Sequence, residues 1–235
     1  MSYDFRNQVA MITGASGNLG SAVARAFKEA GAKLALIDRH EDMLRKEFPD
    51  LVEDVDCLMT GCADLTAPSE VGSVMEAAVE HFGKIDILVN TVGGYRAGAP
   101  IYETSLDTWD FMINLNARSV FITTKIVLEY MLRQGRGKII HLAARPGLAG
   151  RANASAYSAS KAAVIRITES AAAEVKSKGI NVNCLLPGTI DTPANRQAMP
   201  EADYSRWVKP EIVAEVILFL ASESARTLNG ASIPV

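Results

Sequence analysis

The stretch from Val9 to Phe27 confines this chain to few folds. An apolar run, Val9 to Ile12, meets a turn with glycines at positions 14, 17 and 20, and residues 21–27 then carry apolar side chains at helical period. Glycines between a strand and a helix let the backbone reverse sharply and approach a pyrophosphate, which rests on the amides of the helix N-terminus. A second apolar run, Lys33 to Ile37, ends in Asp38. An acid about twenty positions beyond such glycines accepts the hydroxyls of an adenosine ribose. This segment is therefore read as dinucleotide-binding, through Gly14, Ser16, Gly17, Asn18, Leu19, Gly20 and Asp38. A bare tight connection is the alternative, and the strand and helix on either side argue against it.

Changes of hydrophobic period organise the remainder. Strands are expected at 8–13, 33–38, 55–60, 86–91, 138–143, 180–186 and 231–235, and helices at 19–30, 40–47, 68–82, 107–133, 155–177 and 210–222. Nearly unbroken apolar strands separated by helices predict an α/β fold, a Rossmann-type doubly wound parallel sheet of about seven strands with helices on both faces. Residues 1–235 read as a single domain. Segment 187–209, rich in Pro, Asp, Asn and Ser, is expected to be an irregular loop acting as a substrate lid.

With 49% apolar residues and a formal charge of −3, the chain has ample core and no general attraction for nucleic acid. Short basic clusters such as residues 133–138 read as a solvated helix end. No apolar stretch is long enough for a membrane span, and the start lacks a signal-peptide core, so a cytoplasmic setting is expected. Cys57, Cys62 and Cys184 form no paired motif and are expected to be small buried residues. His40, His81 and His141 lack metal-ligand spacing, and no metal is expected. His141 lies on a strand near the expected site and reads better as a core histidine.

Tyr157 and Lys161 stand four positions apart on an expected helix, one above the other. An ammonium beside a phenol is expected to lower its pKa and ready it for proton transfer.

The glycine turn, Asp38, Asn90, Asn116 and the Tyr157/Lys161 pair occur in the order and spacing of the short-chain dehydrogenase/reductase family, which the chain resembles from end to end. The resemblance implies several further roles. Asn90 to Gly93 corresponds to the family's strand-four motif, and Asn116 to the active-site asparagine that holds a water next to the lysine. Pro187, Gly188 and Thr192 match the stretch contacting the nicotinamide carboxamide and the phosphates, and Asp64 resembles the acid beside the adenine. Two features depart from the usual pattern: Asn18 stands where a glycine is expected, and Ala144 where a serine hydroxyl is expected. Both resemble the quinonoid dihydropteridine reductases within that superfamily, as does the loop from Leu186 to Trp207.

These readings make NAD(H) the expected cofactor, since Asp38 would oppose a 2′-phosphate, while the adjacent Arg39 leaves NADP(H) open. Lys161 would hold the nicotinamide ribose and Tyr157 would donate a proton. The expected reaction is reduction of a quinonoid dihydropterin. A ketone or alcohol oxidoreductase working without the serine, with Tyr95, Tyr102 or a water in its place, is one alternative. A non-catalytic dinucleotide sensor or scaffold is another. Apolar residues on more than one face of the helices at 107–133 and 155–177, including Phe121, Val127, Val164 and Ile167, together with the resemblance, imply a homodimer or homotetramer.

Overall fold

Strand β1 (Val9–Thr13) is buried at every position, and a strand buried on both faces needs cover on both sides. The computed structural model, which describes residues 3–62 and 64–235, supplies that cover. Strands β2 (Lys33–Asp38), β3 (Cys57–Gly61), β4 (Ile87–Asn90), β5 (Gly137–Leu142), β6 (Ile180–Leu186) and β7 (Ser232–Pro234) join β1 in a seven-stranded sheet ordered 3, 2, 1, 4, 5, 6, 7. Every pairing is parallel. The order reverses between β1 and β4, which opens a crevice beyond their carboxyl ends.

Helices α1 (Asn18–Glu29), α2 (Glu41–Glu47), α3 (Pro68–Phe82), α4 (Leu106–Met112), α5 (Ser119–Gln134), α6 (Ser155–Val175), α7 (Pro193–Ala198) and α8 (Pro210–Ala221) make the connections. Alternate strand residues face opposite layers. Ile12, Leu34, Val89 and Ile140 pack with Phe27 of α1 and Ile217 of α8, while Met11, Ala35, Leu88 and Ile139 pack with Met75, Val127 and Val175 of α3, α5 and α6. The sheet is thus covered on both faces. Cys57, Cys62 and Cys184 are free and buried, as expected.

Two expected elements differ. The helix expected over 107–133 is interrupted by a wide-turn π segment, Ile113–Arg118, between α4 and α5. Such segments occur where a side chain must be aimed out of regular helical register, and here that side chain is Asn116. The loop expected at 187–209 contains α7, because Pro193 suits a first helical position and the Thr192 hydroxyl accepts from the Asn195 amide at 3.2 Å. Asp191 N donates to Val208 O and Val208 N to Thr189 O, closing the excursion at its base.

Thr13, Asn90 and His141 are register partners across β1, β4 and β5. The Asn90 carboxamide oxygen accepts from Thr13 Oγ1 at 3.2 Å and Thr123 Oγ1 at 3.1 Å, and its nitrogen meets His141 Nδ1 at 3.1 Å. His141 Nε2 lies 3.3 Å from Thr124 Oγ1. Burial pushes the imidazole down to about 3, so it is neutral and belongs to the core. The Asn90 side chain is thus engaged in a buried network. Its removal leaves buried donors and acceptors without partners. Asn90→Ala should lower the unfolding free energy by about 1–3 kcal/mol in urea denaturation; an unchanged midpoint would contradict the network's role.

Candidate active site

The crevice at the strand-order reversal is built first by the glycine turn. Gly14 has φ +69°, a conformation open mainly to glycine, and a Cβ there would lie 2.9 Å from Val92 Cγ2. A Cβ on Gly20 would sit 2.1 Å from the Gly14 carbonyl oxygen. The turn therefore closes only around bare glycine, and Gly17 caps α1 with no side chain over its end. The first amides of α1, on Asn18, Leu19 and Gly20, have no intrahelical acceptor and face outward for an anionic group. Asp38 braces the turn: its Oδ2 accepts from Ser16 N at 2.9 Å and Ser16 Oγ at 2.7 Å, and its Oδ1 from Arg39 N at 2.7 Å.

The chain leaving β4 is tied to that turn, since Thr91 Oγ1 donates to Thr13 O at 2.7 Å. Three residues later it meets the Asn116 carboxamide, whose oxygen accepts from Gly94 N at 2.9 Å and whose nitrogen donates to Gly94 O at 3.1 Å and Ser160 Oγ at 2.9 Å. Asn116 is fully buried. A Cβ on Gly93 would lie 3.0 Å from Asn116 Oδ1 and 3.1 Å from Lys161 Nζ, so glycine lets the strand exit touch both.

Lys161 is 5% exposed, and its ammonium donates to Leu142 O at 2.8 Å. Burial lowers it to about 8. Tyr157, one turn earlier on α6, packs edge-on against Tyr95 with centroids 4.8 Å apart. The phenol is pushed up to about 12, by burial first and by Tyr95 second. This corrects the expectation that Lys161 depresses it: desolvation of the phenol dominates, and the ammonium is turned to the Leu142 carbonyl. Ala144, just beyond β5, is buried and has no hydroxyl to offer.

The remaining expected site residues lie along the same edge. Pro187 and Gly188 follow β6, with Gly188 N donating to Val235 O at 2.9 Å. Asp64 follows β3 and accepts from Thr66 N and Thr66 Oγ1 at 2.7 and 2.6 Å, which hold its carboxyl below the usual range. Ala63 beside it lies outside the described residues. Gly94 and Ser160 escaped sequence reading, because only the fold reveals their shared partner 22 and 44 residues away.

A cavity of about 670 Å³ opens on another face of α6, lined by Ser155, Ser158, Ala159 and Ala162 together with Tyr102 and Leu148, and does not include Tyr157 or Lys161. Chemistry, rather than cavity size, marks the site. Among the described residues no cluster of His, Cys, Asp and Glu could hold a metal.

The sequence profile named short chain dehydrogenase matches residues 8–203. A 3-oxoacyl-[acyl-carrier-protein] reductase of Thermotoga maritima is 35% identical, covering 95% of this chain and 94% of that protein. The cis-4-hydroxycyclohexanecarboxylate dehydrogenase of Sinomonas cyclohexanicum is 34% identical over 100% of this chain and 97% of its own. Among solved structures, NAD+-bound xylitol dehydrogenase superposes with TM-score 0.89 at 28% identity, covering 98% of each chain.

The buried ammonium of Lys161 has a measurable signature. Between about 8 and its ordinary 10.5 the folded state holds fewer protons than the unfolded state, so the burial penalty is relieved as pH rises through that window. Relative to Lys161→Met, the parent should gain stability from pH 8 to 10.5 in urea denaturation. A pH-independent difference would show that the ammonium is not desolvated.

Proposed function

The chain belongs to the short-chain dehydrogenase family, and from that premise we propose that it is an NAD(H)-dependent oxidoreductase reducing a carbonyl to a secondary alcohol, with Tyr157 as proton donor. The observation that carries this reading is the meeting of Gly93, Asn116 and Lys161 beside Tyr157, next to a turn that requires glycine at positions 14 and 20. Bound dinucleotide would supply the hydride. Gly14, Ser16, Gly17, Asn18, Leu19 and Gly20 would hold its pyrophosphate, Asp38 its adenosine ribose and Asp64 its adenine. Lys161 would hold the nicotinamide ribose, with the backbone of Asn90 and Gly93, and Pro187, Gly188 and Thr192, around the nicotinamide end.

A phenol held up at about 12 remains protonated at neutral pH, the state a donor requires. Asn116 would position the strand exit through Gly94 and, as the resemblance implies, hold a water next to Lys161. The relatives described above are named for hydroxyl and oxo substrates, which supports carbonyl chemistry. Ala144 stands at the position of the usual serine, so a second donor to the carbonyl must come from elsewhere. Tyr95 is the candidate: it contacts the Tyr157 ring and is 71% exposed, free to turn toward a substrate.

Ala144 also favours a second reading, reduction of a quinonoid dihydropterin. A conjugated ring accepts hydride without forming an isolated alkoxide, so one hydroxyl suffices, and alanine leaves room for a flat bicycle. Segment 187–209 would close over either substrate as a lid. We further propose one domain, cytoplasmic, assembling as a homodimer or homotetramer through the outer faces of α5 and α6, where Phe121 is 54% exposed. Among the described residues no helix is long and apolar enough to cross a membrane.

Asp38→Ser should weaken NADH and strengthen NADPH in parallel titrations, because a carboxylate opposing a 2′-phosphate is removed; an unchanged ratio would exclude that role. Tyr95→Phe separates the two substrates. If Tyr95 is the second donor, ketone turnover should drop on the order of 10²-fold with NADH affinity retained. Turnover of a quinonoid dihydropterin by the parent, insensitive to Tyr95→Phe and without ketone activity, would transfer the assignment to the second reading.

A further inference from the structure

The basic residues expected to form a solvated helix end at 133–138 do not all face solvent. Arg136 and Lys138 line a cleft of about 520 Å³ where β1, β4, β5 and β6 begin, at the end of the sheet opposite the glycine turn. Lys84, Lys176 and Arg226 complete its cationic side, against two carboxylates, Asp86 and Glu223. In a chain whose formal charge is −3, this is a local reversal of sign. A concave wall of low dielectric focuses such a field.

The cleft is organised. Asp86, 5% exposed, accepts from Val9 N at 3.0 Å and pairs with Lys84 at 2.9 Å and Arg136 at 3.2 Å, so one buried carboxylate serves two cations. The Asn181 amide donates to the carbonyls of Arg226 and Leu228 at 3.1 and 3.0 Å, which turns its oxygen toward Lys138 Nζ at 2.7 Å. That oxygen is neutral. The nearest carboxylate to Lys138, on the 84% exposed Glu223, stands at 3.9 Å, beyond hydrogen-bond reach. The Lys138 side chain is only 12% exposed, and its remaining donors have no acceptor among the described residues. Lys176 and Arg226 have no carboxylate within ion-pair distance among those residues, and Arg226 donates to the Glu223 carbonyl at 3.3 Å.

A largely buried ammonium with a neutral acceptor and only a long ion pair to Glu223, flanked by two cations that lack a carboxylate partner, leaves positive charge incompletely neutralised in a concave site. We propose that this cleft binds a small polyanion, a molecule carrying at least two phosphate or carboxylate groups, separately from the dinucleotide crevice. Lys138 would contact one anionic group from the floor, and Lys176 and Arg226 would approach another from the rim. The residual positive charge of the Lys84, Asp86 and Arg136 cluster would add attraction from one wall.

Calorimetric titration at low ionic strength tests this, with inorganic pyrophosphate and citrate as separate probes. Lys176 and Arg226 are exposed, so Lys176→Gln combined with Arg226→Gln should fold normally, as circular dichroism can verify. Saturable binding of one or both probes to the parent, weakened at least tenfold in the double variant and again by added salt, is the expected result. The stronger probe identifies phosphate or carboxylate as the preferred group. Absence of saturable heat with both probes, or equal affinity in parent and double variant, would overturn the proposal. The latter would mean that the anion sits elsewhere, as on the glycine turn.

Discussion

The Asn116 carboxamide holds the two halves of the site together. Its oxygen and nitrogen grip both backbone groups of Gly94, and its nitrogen reaches Ser160 on α6. One buried side chain thereby joins the exit of β4 to the helix bearing Tyr157 and Lys161. A carboxamide with its polar atoms satisfied is stable in the interior, whereas the same group unpaired would be costly. The π segment at Ile113–Arg118 is the distortion that aims it.

Lys161 depends on that arrangement. Its ammonium is buried against a single carbonyl, with Gly93 packed so close that a Cβ there would sit 3.1 Å from Nζ. The lysine therefore reaches the crevice from below, and its charge is expressed where water is scarce. Tyr157 is desolvated in the same manner, and burial moves the two groups oppositely, the phenol up and the ammonium down. A protonated donor and a cation can therefore coexist beside the same crevice at neutral pH, with burial as the main cause of both shifts.

Much of this architecture was legible in the sequence, because each strand is an apolar run and the turns carry their own residues. The glycines at 14, 17 and 20, Asp38 at the end of β2, and the spacing of Tyr157 and Lys161 are local patterns, and the structure brings them to one edge of the sheet. What the sequence concealed depends on long-range contact. Periodicity carried one helix through 107–133, since a π segment adds no apolar signature. The partners of the Asn90 side chain, Thr123 and His141, lie 33 and 51 residues away and could not be read from its own segment. Lys138 looked solvated until β6 placed Asn181 beside it. The downward influence expected of Lys161 on Tyr157 failed for the same reason: desolvation is a property of the packed molecule.

The central claim is that these groups serve direct hydride transfer from a dinucleotide, with the proton supplied separately by the protein. Isotopic labelling tests it most directly. Reduction of a ketone with NADH carrying two deuterons at the transferring carbon of the nicotinamide, in ordinary water, should place one deuterium on the carbinol carbon of the product; for a quinonoid dihydropterin, whose newly formed N–H exchanges with water, the same label should instead slow hydride transfer in single-turnover kinetics. Alcohol product that carries only solvent hydrogen at the carbinol carbon, a dihydropterin reaction whose single-turnover rate is unchanged by the label, or no turnover with either substrate class by protein that binds NADH, would contradict the account.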